Sequence, residues 1–225
     1  MTMKKNLGIV ALIALGAIGI SSVSLGATGE SQVVVSCDTG ATQTLTVSDL
    51  NFGTLTVSSS QQTQTGTWTD GGAGFTGLKL VDNKAACGET GSLTNLWIVS
   101  LSFDTLSNSD GGTYKLQPNA TASTTFSYGA INSGFVKIGI GMGTSNINHD
   151  AGSDAATDVV VPSGTYSTGT DYVTSAAKPI FKRTYLSNDL RIGTWRATPD
   201  MDIQIPGSLP AKTYVGTINV TLTSS

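Results

Sequence analysis

The chain has 225 residues, 39% of them hydrophobic and only 12% charged, and its 12 basic residues against 15 acidic give a formal net charge of −3. An acidic chain this poor in Lys and Arg repels phosphate backbones, which sets nucleic acid aside as a partner. The length suits one large domain with a sizeable core.

Residues 1–27 read as an export signal. Lys4 and Lys5 form the basic start, Leu7 to Ile20 is uninterruptedly apolar, and Ser24-Leu25-Gly26-Ala27 offers small residues for cleavage. The rival reading is a retained membrane anchor, against which the apolar run is shorter than the roughly 18 residues a bilayer requires; after cleavage no membrane association is expected. Removal leaves ten basic residues against fifteen acidic ones, a net charge of −5. Residues 28–225 are then expected to form a single domain, secreted to the cell surface. Cys37 and Cys87 are both retained, and an oxidising compartment favours a bridge between them. Closing that loop of about 50 residues would restrict the unfolded chain by roughly 4 kcal/mol. A zinc or redox pair is disfavoured, because Cys-x-x-Cys spacing is absent and His149 is the sole histidine.

Strand-like segments follow at short intervals. Gln32 to Cys37 alternates with Val33, Val35 and Cys37 on one side, and Gln43 to Leu55 carries Thr44-Leu45-Thr46-Val47 and then Leu50-Asn51-Phe52-Gly53. Phe75 to Val81 follows the turn Asp70-Gly71-Gly72-Ala73-Gly74. Trp97, Val99, Leu101 and Phe103 then alternate with Ile98, Ser100 and Ser102, a pattern that predicts a central strand. Phe135 to Ile140 and Ile180 to Leu186 are further candidates. Between them, residues 142–177 are weakly patterned and rich in Ser, Thr, Asp, Asn and Gly, which predicts a long loop or insertion.

The end of the chain has the strongest pattern. From Thr194, Trp195, Ala197, Pro199, Met201, Ile203 and Ile205 share one side of an alternating run, and after Pro206-Gly207-Ser208-Leu209-Pro210 a second run places Tyr214, Ile218, Val220 and Leu222 opposite Thr217, Asn219, Thr221 and Thr223. Successive strand residues point to opposite faces, so each run has one face for a core and one for water, and the pair predicts a hairpin. A sustained 3.6-residue period is missing. The expected fold is an all-β, antiparallel β-sandwich of Greek-key or immunoglobulin-like type with little helix.

The order of several segments resembles the WxL domain of Gram-positive surface proteins: Leu50-Asn51-Phe52-Gly53, Leu78-Lys79-Leu80-Val81-Asp82-Asn83, Leu96-Trp97-Ile98-Val99-Ser100-Leu101, and Ile205-Pro206 through Ala211-Lys212-Thr213-Tyr214-Val215-Gly216-Thr217-Ile218-Asn219-Val220-Thr221-Leu222. In place of Trp-x-Leu the chain has Trp97-Ile98-Val99, and its last strand has no tryptophan. The resemblance implies a secreted β-sandwich whose partners are the cell wall or other surface proteins. The Gly- and Thr-rich final strand after Tyr214 is also similar to that of spore-coat-U-like pilus subunits. That likeness implies self-assembly, with an extended N-terminal segment, Gly29 to Cys37, lent to a neighbour. The alternative is that this segment pairs within its own sheet.

Candidate chemistry is sparse. A secreted hydrolase would need His149, in Asn146-Ile147-Asn148-His149-Asp150, as a base held against a nucleophile, and no nucleophile elbow, Walker loop or His-Glu-x-x-His motif accompanies it. Asp200 and Asp202 share a strand face and read as its ordinary polar side. Asn146, Asn148, Asp150, Asp154 and Asp158 supply oxygens of the kind calcium takes, without the order of an EF-hand. Of the three tryptophans, Trp97 and Trp195 fall in register with apolar neighbours, which leaves Trp68 as the ring expected at the surface and the candidate binding residue. The expected function is therefore non-catalytic, with no cofactor unless calcium binds.

Overall fold

The structure is a computed structural model that describes residues 42–70, 74–82, 97–109, 112–121, 124, 126–128, 132–152, 156–184 and 193–224, together with the backbone of residues 11–12, 23–27, 30–31 and 33–36. The strands begin with β1 (Ala11–Leu12), β2 (Val23–Ala27), β3 (Glu30–Ser31), β4 (Val33–Ser36), β5 (Thr42–Val47), β6 (Asp49–Leu55), β7 (Gln62–Thr69) and β8 (Leu78–Asp82). They continue with β9 (Trp97–Phe103), β10 (Leu106–Asn108), β11 (Tyr114–Pro118), β12 (Phe126–Ser127), β13 (Asn132–Gly141), β14 (Ile147–Gly152) and β15 (Val159–Val160). The last are β16 (Tyr172–Val173), β17 (Lys178–Arg183), β18 (Gly193–Ala197), β19 (Asp200–Ile205), β20 (Tyr214–Val215) and β21 (Ile218–Ser224). Two single 3-10 turns, Thr144–Asn146 and Ala156–Asp158, are the helical elements among the described residues.

The fold is an all-β sandwich, and its two halves are built differently. In one half the layers stay separate: a sheet in the order β14-β18-β8-β5-β4 lies against a sheet in the order β15-β17-β9-β21. In the other half the layers join. The order β11-β10-β20-β2-β6-β7-β19-β13 closes on itself because β13 also pairs with β11, so these strands form a barrel, with β12 and β16 attached to β13. Closure removes the open edges that a sandwich otherwise exposes. Most pairs are antiparallel as expected, but the two that join the layers, β2 with β20 and β11 with β13, are parallel.

The same polypeptide segments serve both halves. β5 runs into β6 at Ser48, β18 into β19 at Thr198-Pro199, and β13 into β14 through residues 142–146, each leaving one sheet for another. In the opposite layer β9 passes to β10 at Asp104-Thr105, β16 to β17 through residues 174–177, and β20 to β21 at Gly216-Thr217. Strands that change sheets at bends are how sandwich corners are made. Each bend is tied to its neighbour. Ser48 N–H donates to the Gly77 carbonyl at 2.8 Å while its Oγ accepts from Gly77 N–H at 2.7 Å. Asn146 and Thr198 exchange bonds, Thr198 N–H to the Asn146 carbonyl and Asn146 Nδ2 to the Thr198 carbonyl, both 2.9 Å. Gly77 has φ +89°, and a Cβ there would lie 2.3 Å from the Ala197 carbonyl oxygen, so only glycine fits that corner.

One hydrophobic core runs through both halves, from Leu45, Leu80, Trp97, Phe181 and Trp195 between the separate layers to Phe52, Leu116, Ile138, Ile203 and Tyr214 in the barrel. Trp97 meets Phe181 edge-on, with centroids 5.6 Å apart.

Two sequence expectations need correction. The terminal runs do not form a hairpin with each other: β18 pairs with β8 and β14, β19 with β7 and β13, and β21 with β9, in three different sheets. Alternation continues unbroken across the corner at Pro199, because Ala197, Pro199 and Met201 all stay buried. Residues 142–177 are also not one long loop. They contain β14, β15 and β16, each hydrogen-bonded into a sheet, with segments too short to show a period.

Candidate functional site

Where the layers stay apart, a buried polar cluster joins them. Asp82, at the end of β8, is fully buried; its Oδ1 accepts from Gln43 Nε2 of β5 at 3.0 Å, and its Oδ2 from Trp97 Nε1 of β9 at 2.8 Å and Arg183 Nη1 of β17 at 3.2 Å. The Arg183 side chain is 3% exposed and that of Asp82 is inaccessible. A carboxylate held by a cation and two further donors is stable in a low-dielectric interior, and none of its contacts is open to a substrate. The cluster is therefore a structural clasp between layers. Gln43 shares strand parity with Leu45 and Val47, Asp82 with Leu78 and Leu80, and Arg183 with Phe181, so polar residues at inward-facing positions were the signal for it.

The residues singled out as possible chemistry do not converge. On β14, Asn148 and Asp150 point outward, and Asp150 is held by Arg196 of β18, with Nε to Oδ2 at 2.5 Å and Nη2 to Oδ1 at 2.8 Å. That contact pushes the Arg196 guanidinium pKa up. The side-chain oxygen of Asn146 accepts from Gly143 N–H at 2.8 Å. Asp158 is buried beside β15 in the opposite layer, and Asp154 lies outside the described residues. No group of three or more His, Cys, Asp or Glu that could hold a metal occurs among the described residues.

His149 faces the other way from Asp150 and stacks on Trp195, with ring centroids 4.5 Å apart. It is placed by its register opposite Trp195, where an edge strand covers the core. Asp200 and Asp202 stand opposite Gly141 and Gly139. Asp200 is exposed, while Asp202 is half-buried and burial pushes its carboxyl pKa up. Trp68 is not a surface ring. It is 8% exposed, stands opposite the buried Leu50, and its Nε1 donates to the Pro199 carbonyl at 2.7 Å. The strand's Gln and Thr neighbours hid its inward parity. Cys37 and Cys87 both lie outside the described residues.

The remaining candidate is a backbone site. β2 fills a slot between β6 and β20, antiparallel to the first and parallel to the second. Ala27 stands opposite Leu50, Val23 opposite Leu55 and Leu25 opposite Tyr214. Without β2 the ring of the barrel is open at that one place. β4, further along, pairs antiparallel with β5 at the sheet edge, so Val33–Ser36 sits in its own sheet.

Compared with protein-family models, curated proteins and solved structures, the chain matches none. Among the described residues, no helix is long and apolar enough to cross a membrane.

Proposed function

We propose that this chain is an exported, non-catalytic β-sandwich of the cell surface, WxL-like in the order of its segments, that binds the cell wall or other surface proteins. The observation that carries this reading is how the polar side chains are used. Asp82, Arg183, Asp150, Arg196 and Asn146 are spent on joining strands and layers, and His149 packs on Trp195. Contact is the work left to such a surface. A pull-down of the exported protein on purified envelopes, with and without a calcium chelator, tests it. Retention in the pellet is expected, unchanged by the chelator; a protein that stays wholly in the supernatant removes wall binding.

A second reading, a filament subunit completed by a neighbour's strand, is favoured by the slot that β2 occupies. Size-exclusion chromatography and negative-stain imaging of the exported protein separate the two. Filaments or a ladder of oligomers support the second, and a uniform monomer removes it.

A further inference from the structure

The strands β6, β13, β19 and β20 each meet a corner at one end, so their other ends lie together at the barrel mouth farthest from the separate layers. The loops there are tied to one another. Ser208 N–H donates to the Ser58 carbonyl at 2.6 Å, the Tyr128 hydroxyl donates to the Ser208 carbonyl, and the Thr124 hydroxyl donates to Gln61 Oε1. Gly207 lies so close to Ser59 that a Cβ would come within 2.3 Å of its carbonyl oxygen. Aromatic rings fill the mouth: Phe126 is 6.2 Å from Tyr114 and 5.0 Å from Tyr128, and Tyr214 is buried in the core. Burial, then the neighbouring Tyr128 and Tyr114 phenols, push the Tyr214 pKa up.

Two features set this mouth apart. Tyr128 is 61% exposed and Val57 is 49% exposed, two of the three large exposed hydrophobic side chains among the described residues, and the hydrogen bonds of Ser208 bring their segments together. Tyr128 is nevertheless fixed, by its hydroxyl on Ser208 and by its edge-on contact with Phe126 at 73°. An exposed ring held in place gives up rotamer freedom without the burial that ordinarily offsets it, and rigid exposed tyrosines mark binding surfaces. The second feature is charge. Residues 50–69, 116–136 and 203–211 hold no Asp, Glu, Lys, Arg or His, and the charges that flank them in sequence, Asp49, Asp70 and Asp202 against Lys115, Lys137 and Lys212, cancel. What these segments expose instead includes Thr56, Ser59, Ser60, Gln61 and Ser127. A phosphate, a carboxylate or a metal ion finds no counter-charge in them, and a protein partner would bring a charged rim that they cannot pair. A pyranose needs what is present: a ring face for its C–H groups, and hydroxyl and amide side chains for its hydroxyls.

We propose that this mouth binds a neutral polysaccharide, one pyranose stacking on the Tyr128 ring beside Val57 while the Ser, Thr and Gln side chains around them bond its hydroxyls. The proposal rests on the wall-binding reading above and adds the site and the chemistry of the ligand. Mouths of β-barrels are a common place for such sites. The role expected of Trp68 passes to Tyr128, because Trp68 is turned into the core and Tyr128 out of it. Stacking uses the Tyr128 ring and its hydroxyl only holds that ring, so the two contributions separate on substitution.

The test uses the exported protein and three probes made from purified envelopes: the polysaccharide released by hydrofluoric acid, split by an anion exchanger into neutral and acidic fractions, and the stripped sacculi left behind. Isothermal titration calorimetry follows the two soluble fractions and sedimentation follows the sacculi. Binding of the neutral fraction is expected. Tyr128→Ala should weaken it about tenfold and Tyr128→Phe about twofold. Val57→Asp, which sets a charge on the face, should also weaken it about tenfold, each variant keeping a β-type circular dichroism spectrum. Ile98→Ala, which alters the exposed apolar residue of the separate-layer half, should leave the affinity unchanged. Unchanged affinity in Tyr128→Ala or Val57→Asp overturns the proposal, as does an equal loss in Ile98→Ala. Binding of the acidic fraction or the sacculi without the neutral fraction overturns it while leaving wall binding intact. Envelope retention abolished by protease treatment of the envelopes also overturns it, and assigns the partner to a surface protein. Retention by no envelope preparation removes both.

Discussion

The separate-layer half and the barrel half share strands and core, yet they are held together by different forces. Among the described residues no backbone ladder passes from one of the separate layers to the other, so the cross-layer polar contact there falls to side chains, and the Asp82 clasp supplies it. In the barrel the layers are joined by the backbone itself, through β2 with β20 and β11 with β13. Side-chain joints depend on particular residues, whereas backbone joints depend on having a strand in place, whatever its sequence. The polar joint between the layers of one half can therefore be broken by a point substitution, whereas the joint of the other is broken by removing a strand.

The sharpest way to break that contrast is Asp82→Ala. It breaks the buried pair of Asp82 with Arg183, and breaking a buried ion pair costs about 3–5 kcal/mol. Urea denaturation should show the midpoint falling accordingly. The pair Asp82→Ala with Arg183→Met removes both charges and should recover only part of the loss, because no buried charge is left uncompensated while Trp97 Nε1 and Gln43 Nε2 still lack the acceptor that Asp82 supplied. A single variant that unfolds like the unsubstituted protein would mean the layers are not clasped there.

Next in size is the corner. Gly77→Ala forces a side chain into φ +89° and drives Cβ against the Ala197 carbonyl, whereas Gly74→Ala meets a positive φ with nothing within 4 Å. Positive φ alone costs about 1–2 kcal/mol, so Gly74→Ala should lose about that and Gly77→Ala distinctly more in the same urea experiment. Equal losses would show that the bend between halves yields as easily as an open loop.

The contrast between halves also explains what could be read from the sequence. β9 was legible to the residue, because Trp97 to Phe103 alternates against a core on one face and carries the clasp donor Trp97. β7 was invisible. Its residues Gln62 to Thr67 are Gln, Thr and Gly, with no apolar side chain to mark a face, and Gly66 lies where a Cβ would come within 2.8 Å of Phe52. There the core is covered by bare backbone, which leaves no hydrophobic trace. The short barrel strands β10, β12 and β20 have two or three residues each, too few for any period. The clasp was missed, although Gln43, Asp82 and Arg183 share the parity of their buried apolar neighbours. The change of sheet at Pro199 was not, because alternation gives the facing of a strand and says nothing about its partner.

A smaller effect belongs to the outer wall of the barrel. Asp202 lies over Gly139 with burial raising its carboxyl pKa above the ordinary 3.8. Folding then favours the protonated form, so the stability it contributes is present below 3.8 and is lost as pH rises through the folded value. Asp202→Asn, which mimics the protonated group, should raise the urea midpoint at neutral pH and leave it unchanged below pH 3.8. An equal gain at both pH values would assign the effect to packing instead of ionisation.

The smallest effect is expected at the edge of the separate-layer half, where Arg196 grips Asp150 across β18 and β14. Both contacts are short, but the two side chains are 43% and 25% exposed, so water and salt screen the pair. Arg196→Ala should cost only about 0.5 kcal/mol, and less at 1 M salt. The buried clasp offers the control, because Asp82→Ala is shielded from solvent and its larger loss should change little with salt. If Arg196→Ala instead matched Asp82→Ala, the edge strand β14 would be held by its ion pair and not by its ladder to β18 and the stacking of His149 on Trp195.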